Sequence, residues 1–539
     1  MDEDGFEVPR RTEYRYLVQD EEEEEVQYAR RRHYISPFLV LSKRCIFLIC
    51  LGVLALLALA VYLGYMAQTL PPGLAQVLTQ CGEYRGRHKN GAYSFKGIPY
   101  AAPPVGALRW APPAEPACRS GVAEAGRFRS VCPQVMPVSG EGKVTGQEDC
   151  LFINVWTPTL RPDARLPVMV WIHGGYLQAL SGGEQGYSPT EELAAATGVV
   201  YVSFNYRLNA FGFMALELLR EGSPRNTSGN YGFLDQIAAL KWVQRNIRAF
   251  GGDPAKVTIF GQSSGGTSVW TLMMSPLAKG LFRGAVDLSG SYVYNASLEQ
   301  AEADNLVFLK KTGCADAACL RALSIKQVLQ AVPWQEYPSW AAQEATDLPT
   351  RGQLFGPVAV VDGYVLEAPP FELWDRGSGY NDVPFVVGTT EQEADFSPPA
   401  ENISMWTWGD YRWFVTAALS SPVYRYVVTY TPSGPMNGSR SLVPFPSRFA
   451  FHCLDVVAFF GGLEDLQGKP LSDRDRSFQD LLRRHLVSFI KTGRMASDWS
   501  VYPESTALLS DSLELVQNYS QARCDLWRSS GLFDYAWMN

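Results

Sequence analysis

Apolar residues along the chain fall into three patterns. The first is a single run, Cys45 to Met66 (CIFLICLGVLALLALAVYLGYM), whose 22 residues carry no charge. About 20 apolar residues suffice to cross the hydrocarbon of a bilayer, so this run predicts a membrane-spanning helix over 45–66. Because 44 mostly polar residues come first, it has the character of an uncleaved anchor rather than a signal peptide. The second pattern is a series of short runs rich in β-branched residues: Pro167 to Ile172, Val199 to Phe204, Val257 to Phe260, Ala285 to Leu288 and Pro384 to Val387. Their length suits buried strands. The third lies between two of them: Gly232 to Phe250 puts Leu234, Ile237, Leu240, Val243 and Ile247 on one helical face. Strands alternating with helices predict an α/β fold, with a mostly parallel sheet covered by helices.

The 539 residues and their 46% hydrophobic content are enough for a large core. A formal charge of −8, with no basic stripe in the large domain, excludes nucleic acid as a partner. Neither half is extreme, since the first 44 residues carry 11 acids and 8 bases. No internal repeat is visible.

Orientation follows from the basic residues. Arg30, Arg31, Arg32, Lys43 and Arg44 precede the apolar run, and the next basic residue is Arg85. Positive residues stay cytoplasmic, which predicts an N-terminus inside and a large extracellular domain at the plasma membrane. Five glycosylation sequons, at Asn226, Asn295, Asn402, Asn437 and Asn518, all follow the run. The expected organisation is a disordered tail (1–44), a transmembrane helix (45–66), a stalk (67–79) and one domain (80–539). Apart from Cys45 and Cys50, the cysteines are scattered, with no metal-ligand spacing. They fit disulfides in an oxidising compartment, with buried free thiols as the alternative.

One motif carries chemistry. Gly261-Gln262-Ser263-Ser264-Gly265 follows the strand VTIF and opens a helix. A strand that turns sharply into a helix needs small residues on both sides, and it holds the central serine out at the strand end. Several other stretches accompany it in order: Gly229 to Gly266, Glu148 to Pro158, Asn205 to Phe213 and Phe95 to Pro104. Together they closely resemble the type-B carboxylesterase and cholinesterase family, which implies the α/β-hydrolase fold. The anchored arrangement is similar to that of neurotactin, a relative whose ectodomain serves adhesion. The resemblance implies an ester hydrolase acting on a small ester substrate without cofactor or metal. The competing reading is a cell-surface adhesion or interaction protein with a weak or inactive esterase-like ectodomain, since adhesion members of the family lack a working triad, and a homodimer or a cell-surface protein is the partner open to it.

A serine hydroxyl needs a histidine to take its proton and a carboxylate to orient that histidine. In this fold the order is Ser, acid, His, which leaves His452 and His485. His452, in the segment ending Phe460-Gly461, matches the family's histidine; His485 sits in a helical pattern and suits packing. By resemblance the acid is Glu393, with Glu391 as local competitor. The oxyanion hole falls on the amides of Gly174, Gly175, Tyr176 and Ser264. Tyr176 stands where the family has a third glycine, and Gln262 where it commonly has an acid. No tryptophan lies between Cys132 and Cys150, so choline esters are not the preferred substrates. Resemblance also pairs Cys132 with Cys150 and Cys314 with Cys319. Cys81 and Cys118 have no family counterpart and are paired because both lie near the start of the domain. Only 58 residues separate Glu393 from His452, roughly half the family's interval, and the missing piece leaves Cys524 without its usual partner.

Overall fold

The computed structural model describes residues 51–59, 74–135, 143–221, 223, 225–290, 296–332, 360–391, 419–434 and 450–519. The chain divides into two compact units, Met1–Pro72 and Gly73–Asn539.

In the first unit, residues 51–59 are helical and exposed. Among the described residues, no helix is long and apolar enough to cross a membrane. This overturns the expected single-pass placement at the plasma membrane, with its transmembrane helix over 45–66. The remaining residues of that run lie outside the described residues.

The second unit is built on a large sheet. Its strands begin with β1 (Leu74–Thr79), β2 (Gly82–Lys89), β3 (Ala92–Pro99) and β4 (Val122–Glu124). A small hairpin, β5 (Gln134–Val135) and β6 (Val144–Thr145), forms a sheet of its own. Then come β7 (Phe152–Thr157), β8 (Leu166–Ile172), β9 (Val200–Phe204), β10 (Gly252–Gln262) and β11 (Gly284–Leu288). The series ends with β12 (Phe385–Thr390), β13 (Val423–Val428), β14 (Thr506–Leu509) and β15 (Leu513–Val516). The order is β1-β2-β3-β7-β9-β8-β10-β11-β12-β13-β14-β15, with β4 beside β2. Pairing is parallel from β9 through β14 and antiparallel at both ends, apart from the parallel pair of β4 with β2. Strand β1 starts inside the segment expected to be a stalk. There Ala75 and Val77 alternate inward while Leu78 stays exposed, the two-residue period of a half-buried edge strand.

The same period divides the core in two. Val168, Val170 and Ile172 of β8 face one layer, and Met169 and Trp171 face the other. The first layer is closed by helices α1 (Tyr231–Asn246) and α2 (Ser264–Met274), through residues such as Leu240, Val243, Val269 and Met273. The second is closed by α3 (Leu454–Phe460) and α4 (Asp473–Thr492), through Val457, Phe459, Phe478 and Phe489. Covered on both sides, β9, β11, β12 and β13 are buried at every position and mostly apolar, so their short runs are visible in the sequence.

Three disulfides join Cys81 to Cys118, Cys132 to Cys150 and Cys314 to Cys319. Cys453 is a free, half-buried thiol, and Cys524 lies outside the described residues. Of the sequon asparagines, Asn226 and Asn518 are exposed; Asn295, Asn402 and Asn437 lie outside the described residues.

Candidate active site

The site grows from the carboxyl end of β10, where open α/β sheets bind ligands. In register, Gly261 lies between Ile172 of β8 and Asp287 of β11. The chain then turns through Ser263, at φ 56° and ψ −130°, directly into α2. That conformation is costly for a residue with a Cβ and persists only where its surroundings enforce it. Here the Ser263 amide donates to the Leu288 carbonyl at 2.9 Å, and the Thr267 amide donates to the Ser263 carbonyl at 3.0 Å. Small residues make the turn possible. A Cβ on Gly261 would collide with the Gly265 carbonyl, and one on Gly266 would collide with the Asp287 carboxylate. Asp287 itself accepts from Trp270 Nε1 at 2.7 Å and the Gly290 amide at 2.8 Å, tying β11 to α2.

Facing the turn is the loop after β8. His173 is fully buried, with Nδ1 2.8 Å from the Gly174 carbonyl and its ring stacked on Tyr206 at 4.4 Å. Tyr206 also donates its hydroxyl to the His173 carbonyl at 2.7 Å. Burial pulls the His173 imidazole down from its ordinary range to about 4, against the weaker opposing effect of its bond to Gly174. The loop continues with positive φ at Gly175 (105°), Tyr176 (59°) and Leu177 (58°). It is clamped to the turn where the Leu177 amide donates to Ser264 Oγ at 3.0 Å. Tyr176, a residue 57% exposed, therefore holds the left-handed backbone that a glycine would take freely. Of the four amides expected to form an oxyanion hole, that of Gly174 is turned elsewhere: it donates to the Tyr187 hydroxyl at 3.3 Å.

His452 arrives from the other layer, in the turn that precedes α3. The structure brings it to the residue before Ser263: Nε2 of His452 lies 3.0 Å from Nε2 of Gln262. The described contacts include no hydrogen bond between Ser263 and His452. Oε1 of Gln262 in turn accepts from the Tyr187 hydroxyl. Tyr187 and Gln262 are both buried. Tyr187 lies outside every motif of the sequence, in the loop Ser181 to Pro189, and no local signal marks it. His485 is on α4, buried and edge-on to Trp499 at 5.1 Å, away from this cluster. Glu391 is exposed at the end of β12, and Glu393 lies outside the described residues.

Three comparisons agree with this geometry. A model described as the carboxylesterase family matches residues 74–404. Para-nitrobenzyl esterase of Bacillus subtilis is 32% identical over 500 residues, which cover 84% of this chain and 99% of that protein. Neurotactin of Drosophila melanogaster is 34% identical over 379 residues, 67% of this chain but 44% of that one. A solved structure of a thermophilic PNB esterase superposes with a TM-score of 0.72 at 30% identity, covering 84% of this chain and 99% of that one. By sequence and by fold, this chain belongs to the carboxylesterase family and is a carboxylic-ester hydrolase.

Proposed function

We propose that the protein cleaves small carboxylic esters through an acyl-enzyme on Ser263. His452 takes the Ser263 proton on Nε2 as the oxygen attacks the ester carbonyl, and it returns that proton to the departing alcohol. Water then repeats the sequence and releases the acid. Glu393 is the carboxylate assigned to hold Nδ1–H of His452. The amides of Gly175, Tyr176 and Ser264 are the donors assigned to the oxyanion, with Gly174 behind them. Such donors act where charge develops, and one is worth roughly 10²–10³ in rate. The para-nitrobenzyl esterase relative supports an ester substrate, and the absence of a tryptophan between Cys132 and Cys150 argues against choline esters.

One observation carries the reading. Ser263 projects from a turn with φ 56°, and His452 is one hydrogen bond from the residue before it. The test is labelling with a fluorophosphonate. Ser263 is the expected site, and Ser263→Ala is expected to abolish both labelling and turnover of a short-chain aryl ester. A folded protein that takes no label would exclude the acyl-enzyme mechanism.

A further inference from the structure

A chain of hydrogen bonds runs from the loop after β8 to the base. The Gly174 amide can only donate, so Tyr187 oxygen accepts from it. The Tyr187 proton is then directed to Oε1 of Gln262. With Oε1 so occupied, the Gln262 NH₂ group is the one that meets His452, and it too can only donate. Nε2 of His452 is therefore the acceptor of this bond and holds no proton in this arrangement, which leaves the neutral ring's proton on Nδ1. That is the tautomer a general base needs. Yet an imidazole nitrogen offers one in-plane lone pair, and Ser263 must donate to the same one.

We propose that Gln262 is a brake on the base: in the resting enzyme its side-chain amide occupies the Nε2 lone pair of His452, and Tyr187 holds that amide in place. Gln262 is a positioning residue, acting through His452. The inference rests on the reading of Ser263 and His452 given above. Before acylation the amide must give up Nε2, and the Ser263 hydroxyl replaces it. Gln262 is fully buried, and the Tyr187 contact fixes its carbonyl end, so it does not swing aside freely. A carboxylate at the same position has no proton to give and imposes no such cap. It would instead attract a proton to Nε2. The other titratable groups gathered around Tyr187 are Tyr206, Cys453 and Asp455. Asp455 is committed to the Tyr426 hydroxyl at 2.7 Å.

The experiment compares fluorophosphonate labelling rates across pH for the full chain and for Gln262→Leu, Gln262→Glu and Tyr187→Phe. Gln262→Leu removes the competing donor. Its alkaline plateau is expected to rise about five-fold, the rate equivalent of one neutral hydrogen bond. Its acidic limb should also move to higher pH, since a bond that favours the neutral ring is lost. Tyr187→Phe should raise the plateau less. Gln262→Glu should shift the acidic limb upward by more than Leu does and lower labelling at neutral pH. A merely structural role for Gln262 would change melting temperature without moving the limb. If Gln262→Leu does not fold, Tyr187→Phe carries the same test. A labelled wild type whose plateau and limb are unmoved by these variants overturns the brake alone. If neither the wild type nor any variant labels, the reading of Ser263 and His452 fails first, and the brake with it.

Discussion

Gly265 sits against the carbonyl oxygen of Ile172 so closely that a Cβ there would collide with it, and would lie 2.8 Å from the His173 oxygen. The neighbours are backbone atoms of a central strand and cannot swing away. Gly265→Ala is therefore expected to spread α2 from β8, costing about 1–3 kcal/mol as overpacking does. It should also abolish fluorophosphonate labelling. Gly284→Ala in β11 is the control. Its nearest atom would be Thr258 Oγ1 at 3.3 Å, and it should keep the label. Urea midpoints and labelling of the two variants decide the matter. A normally labelled Gly265→Ala would mean the turn is looser than described.

Tyr176 holds φ 59° and is exposed. A left-handed backbone costs a residue with a Cβ about 1–2 kcal/mol, and glycine avoids most of that while gaining unfolded-state entropy. Tyr176→Gly should raise stability by up to about 1 kcal/mol and increase turnover of an aryl ester, because the Tyr176 amide can then settle toward the oxyanion. Thermal melting and kcat measure the two separately. Lower kcat with unchanged melting would mean that the tyrosine ring contributes to substrate binding.

The central strands and α1 were legible because each buries a periodic set of residues within one short segment. Val168, Val170 and Ile172 are enough to define an inward face, and Leu240 and Val243 do the same for the helix. The turn at Ser263 was legible for a similar reason, since its steric demands fall on Gly261, Gly265 and Gly266 nearby. The partners of Gln262 were not. Tyr187 and His452 lie 75 and 190 residues away, and only the sheet order brings β10, the loop after β8 and the turn before α3 together. The apolar run at 45–66 shows the opposite failing. Among the described residues no helix is long and apolar enough to cross a membrane, and of this run the described residues are 51–59.

Asp235 of α1 receives Arg207 through Nε at 2.8 Å, Nη2 at 2.7 Å and the Arg207 amide at 3.0 Å. Both residues are buried, and Arg207 adjoins Tyr206, whose hydroxyl holds the His173 carbonyl. Removing one partner of a buried ion pair strands the other charge, at a cost of about 3–5 kcal/mol. Asp235→Ala should lose that much in chemical denaturation. The double variant Asp235→Leu with Arg207→Met should recover a large part, since the penalty comes from the unpaired charge. If the double variant is as unstable as the single one, the geometry of the hydrogen bonds matters more than the charge.

The last prediction concerns acid. His173 is buried and held near 4, and its Nε2 has no hydrogen-bond partner among the described residues. Once unfolded, the same imidazole takes up a proton near 6.5. Between those values the unfolded chain binds more protons than the folded one, so stability falls as pH falls. The full difference is about 3 kcal/mol, approached near pH 4 and absent above about pH 7. Carboxylates and His485 titrate over part of this range too, but they are common to the wild type and to a variant that changes His173 alone. In His173→Asn, a side-chain amide replaces Nδ1–H as donor to the Gly174 carbonyl and carries no titrating group. The variant should be less stable than wild type at pH 7.5, because it loses the stacking on Tyr206. By pH 4.5 that deficit should shrink by about 2 kcal/mol or more. Urea denaturation of both proteins at the two pH values measures it, and a deficit that stays constant would show that His173 does not resist protonation in the folded chain.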